Sequence, residues 1–155
     1  GQPKGNLYMT KQTEAQLQAA VVQWLEFYAA RGVYNSLGTY ASGYAGTANP
    51  IFIFTSNYRN VPRAGAWAAF QGAKNRKSGV KAGWPDLTLH WRDGTTTWIE
   101  LKSSTGKLNK AQKTLFPTLE AFGDVYVCKS LEQVIEAVEE EVKKRGHNND
   151  QSYSR

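Results

Sequence analysis

The sequence contains one cysteine, Cys128, in 155 residues. A single cysteine excludes a disulfide within the chain and is typical of a protein in a reducing compartment; its apolar neighbours predict a core residue. No stretch approaches the roughly 18 consecutive apolar residues of a membrane-spanning helix, and the N-terminus lacks the apolar core of a signal peptide. These absences predict a cytoplasmic protein without a membrane partner, and no organic cofactor is expected.

The composition, 41% hydrophobic and 21% charged, is ordinary for a globular protein, and 155 residues suffice for one domain with its own core. No internal repeat is present. We expect one domain over residues 10–145, with a flexible N-terminus at 1–9, a variable insertion at 37–62 and a flexible tail at 146–155. The net charge of +6 favours an anionic partner.

Residues 83–102 read as a β-hairpin around the turn signal Asp93-Gly94. Apolar and polar residues alternate on both sides of that turn. One buried face requires that odd positions pair with odd positions, because a slip of one residue would expose half of them. This register needs an odd-length loop, such as three residues around Gly94. The apolar positions concerned are Leu87, Leu89, Trp91, Ile99 and Leu101.

The same register places Asp86, Glu100 and Lys102 together on the opposite face. Facing and diagonal neighbours in a sheet lie roughly 5 to 8 Å apart. Two carboxylates that close repel each other unless a cation neutralises them, and Mg²⁺ typically uses one or two carboxylates with phosphate and water. An ordinary salt-bridged strand pair is the alternative, worth about 0–1 kcal/mol if exposed.

These residues resemble the motif of the PD-(D/E)XK nucleases, and specifically the VRR-Nuc (virus-type replication-repair nuclease) family. The resemblance covers residues 13–32 and 73–138 well and the intervening stretch poorly. It rests on Gly83-Trp84-Pro85-Asp86, on Glu100-Leu101-Lys102, and on Gly106-Lys107-Leu108 with Gln112.

The resemblance implies metal-dependent hydrolysis of DNA phosphodiester bonds. Asp86, Glu100 and the main-chain carbonyl of Leu101 would hold Mg²⁺ or Mn²⁺, with Lys102 beside the nucleophile. Glu14 would support a second metal or bound water.

A helix is expected after the capping-box pattern Thr13-x-x-Gln16 and is expected to end at Gly32, before a short strand at 33–36. Glu14 heads the apolar stripe of this helix. Spacing alone favours a partner for the helix dipole, worth about 0.3–1 kcal/mol, and the resemblance favours a site residue.

Gln112 lies three residues after Asn109, a plausible N-cap, so its ordinary role is a capping box. The resemblance gives it a second role, positioning Lys102 or a phosphate on the scissile side. A strand at 125–128 and a helix capped by Ser130 and Gln133 follow.

Four basic residues, Lys74, Arg76, Lys77 and Lys81, precede the motif without an intervening acid. Such a run is usually a solvated face, yet its position favours contact with a phosphate backbone. Lys107, within the motif, is a further candidate for DNA binding.

The order of helix, strand, helical insert, hairpin, helix, strand and helix predicts an α/β domain, a mixed central sheet flanked by helices. By resemblance this is the restriction-endonuclease-like core. The chain holds one catalytic set, so symmetric cutting of two strands predicts a homodimer. The candidate contact is the segment 37–62 with its β-prone run at 51–54, because an unpaired apolar strand would otherwise invite aggregation. Branched DNA, such as four-way (Holliday) junctions, is the substrate favoured by resemblance.

Three alternatives stay open at this stage: a monomeric flap or nicking nuclease, a non-catalytic basic DNA-binding module, and a protein-interaction domain.

Overall fold

A computed structural model describes residues 11–37, 51–57 and 82–146. Three helices and four strands lie in these ranges, in the order α1 (Glu14–Leu37), β1 (Phe52–Ser56), β2 (Leu87–Trp91), β3 (Thr96–Leu101), α2 (Lys110–Glu120), β4 (Gly123–Cys128) and α3 (Leu131–Lys144). The expected α/β class, a mixed sheet flanked by helices, is confirmed.

Helix α1 begins with the expected capping box. The hydroxyl of Thr13 accepts from the Gln16 N–H at 3.1 Å, and the Gln16 side chain accepts from the Thr13 N–H at 2.9 Å. The expected end at Gly32 is wrong, because α1 continues to Leu37 and residues 33–36 are helical rather than a strand. Glycine costs about 1 kcal/mol inside a helix relative to alanine, a weakening and not a stop.

The β2–β3 hairpin has the expected register. Leu87 pairs with Ile99 and Leu89 with Thr97, so odd positions face odd positions. The loop has three residues: the Trp91 N–H donates to the Thr95 carbonyl and the Gly94 N–H to the Trp91 carbonyl, both at 3.0 Å. Gly94 has φ +86°, the left-handed conformation that such a loop requires.

Strand β1 pairs antiparallel with β2 and lies at one edge of the four-stranded sheet. The expectation of an unpaired apolar strand at 51–54 is therefore wrong, while the subunit contact in 37–62 stays a prediction. Phe52 and Phe54 are buried, while Ile53 between them is 44% exposed. Alternation thus directs the two aromatic side chains into the core.

Two hydrophobic layers cover the two faces of the sheet. On one face, the odd positions of the hairpin, together with Phe52 and Phe54 of β1, pack against α1 and α3. Their buried residues include Leu17, Val21, Leu25, Tyr28, Leu87, Leu89, Ile99, Val134 and Val138. Cys128 is 3% exposed and belongs to the same cluster, as expected. In these described ranges, no helix combines the length and apolar composition needed to cross a membrane.

Helix α2 covers the other face and connects β3 to the parallel strand β4. Phe116 and Leu119 of α2 pack on Trp98 of β3. The even positions of the hairpin therefore lie beneath and beside α2. This layer is the one that carries Glu100.

A buried polar cluster joins α3 to the turn end of the hairpin. Glu141 is fully buried and accepts from the Thr97 hydroxyl at 2.7 Å and the Tyr126 hydroxyl at 2.6 Å. Arg145 lies 3.2 Å from Glu141, and its guanidinium stands 4.2 Å from the centre of the Trp91 ring. This cluster fixes the side of the hairpin opposite to the carboxylate end.

Candidate active site

Two acidic side chains meet at the end of the hairpin away from its turn. The register pairs Leu87 with Ile99, and one further step sets Asp86 opposite Glu100. The Leu101 N–H donates to Asp86 Oδ2 at 2.7 Å, so the Leu101 peptide lies beside both carboxyl groups. The expected convergence of Asp86, Glu100 and Lys102 is present.

Glu100 is buried, with 3% of its surface exposed. Its Oε2 accepts from Gln112 Nε2 at 2.8 Å and lies 3.1 Å from Lys102 Nζ. Its Oε1 is also buried and has no hydrogen-bond partner. A buried carboxylate oxygen without a donor is costly, so this atom requires a proton or a cation.

The pKa values of both carboxyl groups are raised, which also favours a proton or a cation at this pair. Burial, and after it the charge of Asp86, raises the pKa of Glu100 to about 7, although Lys102 acts in the opposite direction. Burial also raises the pKa of Asp86. The hydrogen bond from the Leu101 N–H acts in the opposite direction, because it stabilises the charged form, but it does not outweigh burial. Without a cation, the two groups therefore favour sharing a proton.

The donor set fits a hard divalent cation. Carboxylate oxygens and main-chain carbonyls are the ligands that Mg²⁺ and Mn²⁺ prefer. Glu100 Oε1, which is buried without a hydrogen-bond partner, is an oxygen that could bind such a cation. No group of three or more His, Cys, Asp or Glu side chains is arranged to hold a metal within 11–37, 51–57 and 82–146. Asp86 and Glu100 would supply the carboxylate ligands of a cation here.

Glu14, the first residue of α1, lies at the same site. Its Oε1 accepts from the Ser103 N–H at 3.4 Å, and its charge contributes to the raised pKa of Asp86. Glu14 lies at the start of a helix and close to the carboxylates. Its position is therefore compatible both with a partner for the helix dipole and with a site residue.

Gln112 lies in the site. It forms the expected capping box with Asn109, and its Nε2 donates to Glu100 Oε2, the same oxygen that contacts Lys102, so its role in positioning Lys102 or a phosphate stays a prediction. Only 6% of Gln112 is exposed, which leaves little surface for a phosphate contact.

One structural residue, Gln18, was not predicted from the sequence, whereas Gly83 was named there as part of the motif before Asp86. Gln18, one turn after Glu14 on the same side of α1, is buried and donates to the Ser56 hydroxyl at 2.7 Å. Gly83 has φ +82°, and a Cβ there would lie 2.9 Å from main-chain atoms of Ala111 and Gln112. The sequence signal that could have indicated Gln18 is its i, i+4 spacing from Glu14, which places both residues on one side of the helix.

The basic run Lys74, Arg76, Lys77 and Lys81 lies outside the described residues, so its expected contact with phosphate stays a prediction. Lys107 is exposed in the loop between β3 and α2, and its role in DNA binding likewise stays a prediction.

An apolar groove of about 1230 Å³ lies beside α2. Its described lining has no carboxylate, so we do not place the chemistry there. Trp84 and Trp98, which line it, contact each other edge to face with ring centres 6.1 Å apart.

The VRR-NUC domain family matches residues 53–132 of the chain, a span that includes Asp86, Glu100, Lys102 and Gln112. A solved structure described as a VRR_NUC domain protein aligns with 87% of this chain and 92% of its own, with a TM-score of 0.56 and 20% identity. At that identity the likeness concerns the fold. No curated protein matches the sequence. Because the family match spans just over half of the 155 residues, the chain belongs to the VRR-NUC domain family, and this membership implies a nuclease of the PD-(D/E)XK type.

Proposed function

We propose that this nuclease is a Mg²⁺- or Mn²⁺-dependent endonuclease that hydrolyses DNA phosphodiester bonds, with a preference for branched DNA such as four-way junctions. A nuclease domain implies DNA as its substrate. The observation that carries metal dependence is the buried, unpartnered Oε1 of Glu100 beside the Asp86 carboxyl group.

Asp86, Glu100 and the main-chain carbonyl of Leu101 are the residues that would hold the cation. The chemistry that a bound divalent cation supplies is Lewis acidity toward the scissile phosphate and the attacking water. The protein fixes the two carboxylates for this purpose: the Leu101 N–H holds Asp86 at 2.7 Å, and Gln112 and Lys102 hold Glu100.

Lys102 is proposed to act beside the nucleophile. Its side chain is 12% exposed and one N–H can donate to Glu100, 3.1 Å away. An ammonium group has three donors, so two remain for a water molecule or a phosphate oxygen. In that position Lys102 orients the water and offsets negative charge that develops on the phosphate.

Glu14 is proposed to support a second cation or a bound water. Its contact with the Ser103 N–H places it next to the segment that carries Lys102. Glu14→Gln should abolish most activity at an almost unchanged melting temperature, whereas loss of a helix-end charge alone would cost under about 1 kcal/mol of stability and leave activity intact. Glu26→Gln, on an exposed position of the same helix, is the control.

Assembly as a homodimer is part of the proposal. One chain carries one set of site residues, and symmetric cutting of two strands needs two sets. A closed twofold dimer is the commonest way to supply them. Light scattering should give about twice the 17.3 kDa mass of the chain. A strict monomer with DNA bound would contradict the dimer and favour a nicking or flap nuclease.

The experiment that tests the function is cleavage of labelled linear, flap, splayed and four-way-junction DNA with Mg²⁺. We expect junctions to be cut as paired nicks in opposing strands, EDTA to stop cleavage, and Asp86→Asn to be inactive. Cleavage in EDTA, or by Asp86→Ala with Mg²⁺, would contradict the metal site. DNA binding without any cleavage would leave a binding module.

A further inference from the structure

Each described helix begins with the same kind of sequence signal. A polar N-cap is followed three residues later by glutamine: Thr13 and Gln16 in α1, Asn109 and Gln112 in α2, Ser130 and Gln133 in α3. In all three, the glutamine main chain donates to the N-cap side chain, at 2.9 to 3.2 Å. Judged by the sequence, the three glutamines are equivalent.

Only one of these glutamines has a carboxylate partner among the described contacts. Gln16 and Gln133 are exposed, and their side chains accept from main-chain N–H groups at 2.9 and 2.7 Å. Gln112 is buried. Its Oε1 accepts from the Asn109 N–H at 3.0 Å while its Nε2 donates to Glu100 at 2.8 Å.

The orientation of the Gln112 amide follows from its two partners. The Asn109 main chain offers a donor, so the amide atom facing it must be the oxygen. The nitrogen must then face Glu100, which can accept. A flipped amide would set donor against donor and oxygen against oxygen, losing both bonds. The capping box therefore locks the amide in the orientation that Glu100 requires.

This lock holds the plane of the Glu100 carboxyl group. Gln112 and Lys102 both engage Oε2, and Oε1 is left buried without a partner. Without Gln112, Lys102 would be the remaining described contact of Oε2, and the carboxyl plane could turn about its last bond so that Oε1 no longer keeps its direction. We propose that Gln112 is a positioning residue, which uses the α2 capping box to hold Glu100 with Oε1 directed to the cation. This inference rests on the proposed function.

The test compares two chemically identical substitutions, Gln112→Met and Gln133→Met. Each removes a side-chain acceptor at a helix start: Gln112 accepts from the N-cap Asn109 N–H, and Gln133 accepts from the Lys129 N–H just before the N-cap. Both variants should lower the melting temperature, Gln133→Met by about 2–4 °C and Gln112→Met by more, because it also loses a buried hydrogen bond to Glu100. Isothermal titration of metal-free protein with Mn²⁺ should then separate them. We expect Gln112→Met to bind Mn²⁺ about 10–100-fold more weakly, the usual effect of losing an outer-shell partner. Gln133→Met should bind like the wild type.

Cleavage kinetics supply the second measurement. Because Gln112 is buried, its loss should lower kcat by about 10–100-fold and leave KM for DNA unchanged. A rise in KM at unchanged kcat would indicate a phosphate contact and would overturn the proposal. Equal Mn²⁺ affinity and equal kcat in the two Met variants would also overturn it, reducing Gln112 to a helix cap.

Gln112→Glu covers the case in which Gln112→Met does not fold. Glutamate keeps the acceptor for the Asn109 N–H but offers no donor to Glu100. Turnover is its only readout, because a new carboxylate can itself bind a cation. A fall of at least about tenfold supports positioning, and wild-type turnover contradicts it. If the wild type binds Mn²⁺ but cuts no DNA, the proposed function fails while the affinity comparison still decides the role of Gln112. Absence of Mn²⁺ binding by the wild type would overturn both.

Discussion

Burial raises the pKa of both Asp86 and Glu100, so the pair favours carrying a proton when no metal is bound. The pKa of Glu100, raised from 4.5 to about 7 by burial and by Asp86, means that the folded state binds a proton more tightly than the unfolded state. The resulting stabilisation is present below about pH 4.5 and is lost as the pH rises through about 7. A divalent cation would replace that proton.

Asp86→Asn should separate stability from activity. With Mg²⁺, cleavage should fall by more than the roughly 10–100-fold typical of an outer-shell partner, because a ligand is lost. In EDTA at pH 8, the melting temperature should rise above that of the wild type, since the repulsion with Glu100 is gone. Thermal melts at pH 5 and pH 8 check the sign: the wild type should lose stability between these values, and the variant should lose less. Glu120→Gln, an exposed carboxylate of α2, should change neither property.

Lys102→Ala tests the residue proposed to act beside the nucleophile. Turnover should fall by about 10²–10⁴, the range of a general acid–base contribution. Lys102 also lowers the pKa of Glu100, so its removal should shift the acidic limb of the pH–rate profile to higher pH. Single-turnover cleavage across pH measures both effects, with the exposed Lys113→Ala as control. A wild-type rate and an unshifted profile would make Lys102 a structural residue.

At the scale of elements, the first turn of α2 touches both segments that carry the carboxylates. Gln112 reaches Glu100, and Gly83, three residues before Asp86, lies against the Ala111–Gln112 main chain. The chemistry thus depends on how closely this helix start and the Gly83 turn approach each other.

Gly83→Ala and Gly94→Ala form a matched pair for that contact. Both glycines have positive φ, +82° and +86°, so alanine costs about 1–2 kcal/mol at each. A Cβ at Gly94 meets nothing within 4 Å, whereas one at Gly83 lies 2.9 Å from main-chain atoms. We expect Gly83→Ala to be clearly less stable in urea unfolding and to lose activity, with Gly94→Ala still active. Equal behaviour of the two variants would contradict a close contact at the helix start.

The polar cluster around Glu141 stabilises the opposite end of the hairpin and should show in the acid range. Burial alone would raise the pKa of Glu141, but hydrogen bonds from Tyr126 and Thr97 outweigh it and lower the pKa to about 2. The stabilisation is therefore present above about pH 4.5 and is lost as the pH falls toward about 2.

Glu141→Gln should lower the free energy of unfolding at pH 7 by about 1.5–3 kcal/mol, the range for hydrogen bonds to a charged group. At pH 3 the difference from the wild type should shrink, because the unfolded wild-type chain then carries a proton on Glu141 while the folded state stays ionised, so folding has to release that proton. Urea unfolding at both values, with the exposed Glu140→Gln as control, measures this. A difference that is independent of pH would show that the charge of Glu141 is not what stabilises the cluster.

At the scale of the whole molecule, the net charge of +6 predicts salt-dependent binding to DNA. If Lys74, Arg76, Lys77 and Lys81 each neutralise a phosphate, they contribute about −3.6 to the slope of log K against log salt on duplex DNA. Replacing all four with serine, in an Asp86→Asn background that prevents cleavage, should flatten the slope by that amount. The control replaces four exposed lysines elsewhere, Lys11, Lys113, Lys129 and Lys143. An unchanged slope in the first variant would place the DNA elsewhere.

The sequence alone determined the hairpin and the facing carboxylates. Period-two alternation requires odd positions to pair with odd positions, which places Asp86, Glu100 and Lys102 on one face. The three-residue loop around Gly94 then sets Asp86 opposite Glu100. The capping boxes at Thr13 and Asn109 were likewise readable, because caps depend on residues only three apart. Features that depend on residues close together in the sequence were therefore predictable.

Tertiary structure decided what depends on distant parts of the chain. Residues 33–36, expected as a strand, belong to α1. The second described element is a strand at Phe52–Ser56, which pairing with β2 and burial of Phe52 and Phe54 stabilise. Three glutamines in equivalent capping positions differ in function for the same reason. Gln112 alone among them lies over the β3 carboxylate, since α2 packs on that face of the sheet. A capping pattern fixes where a helix starts, while only packing fixes what that start faces.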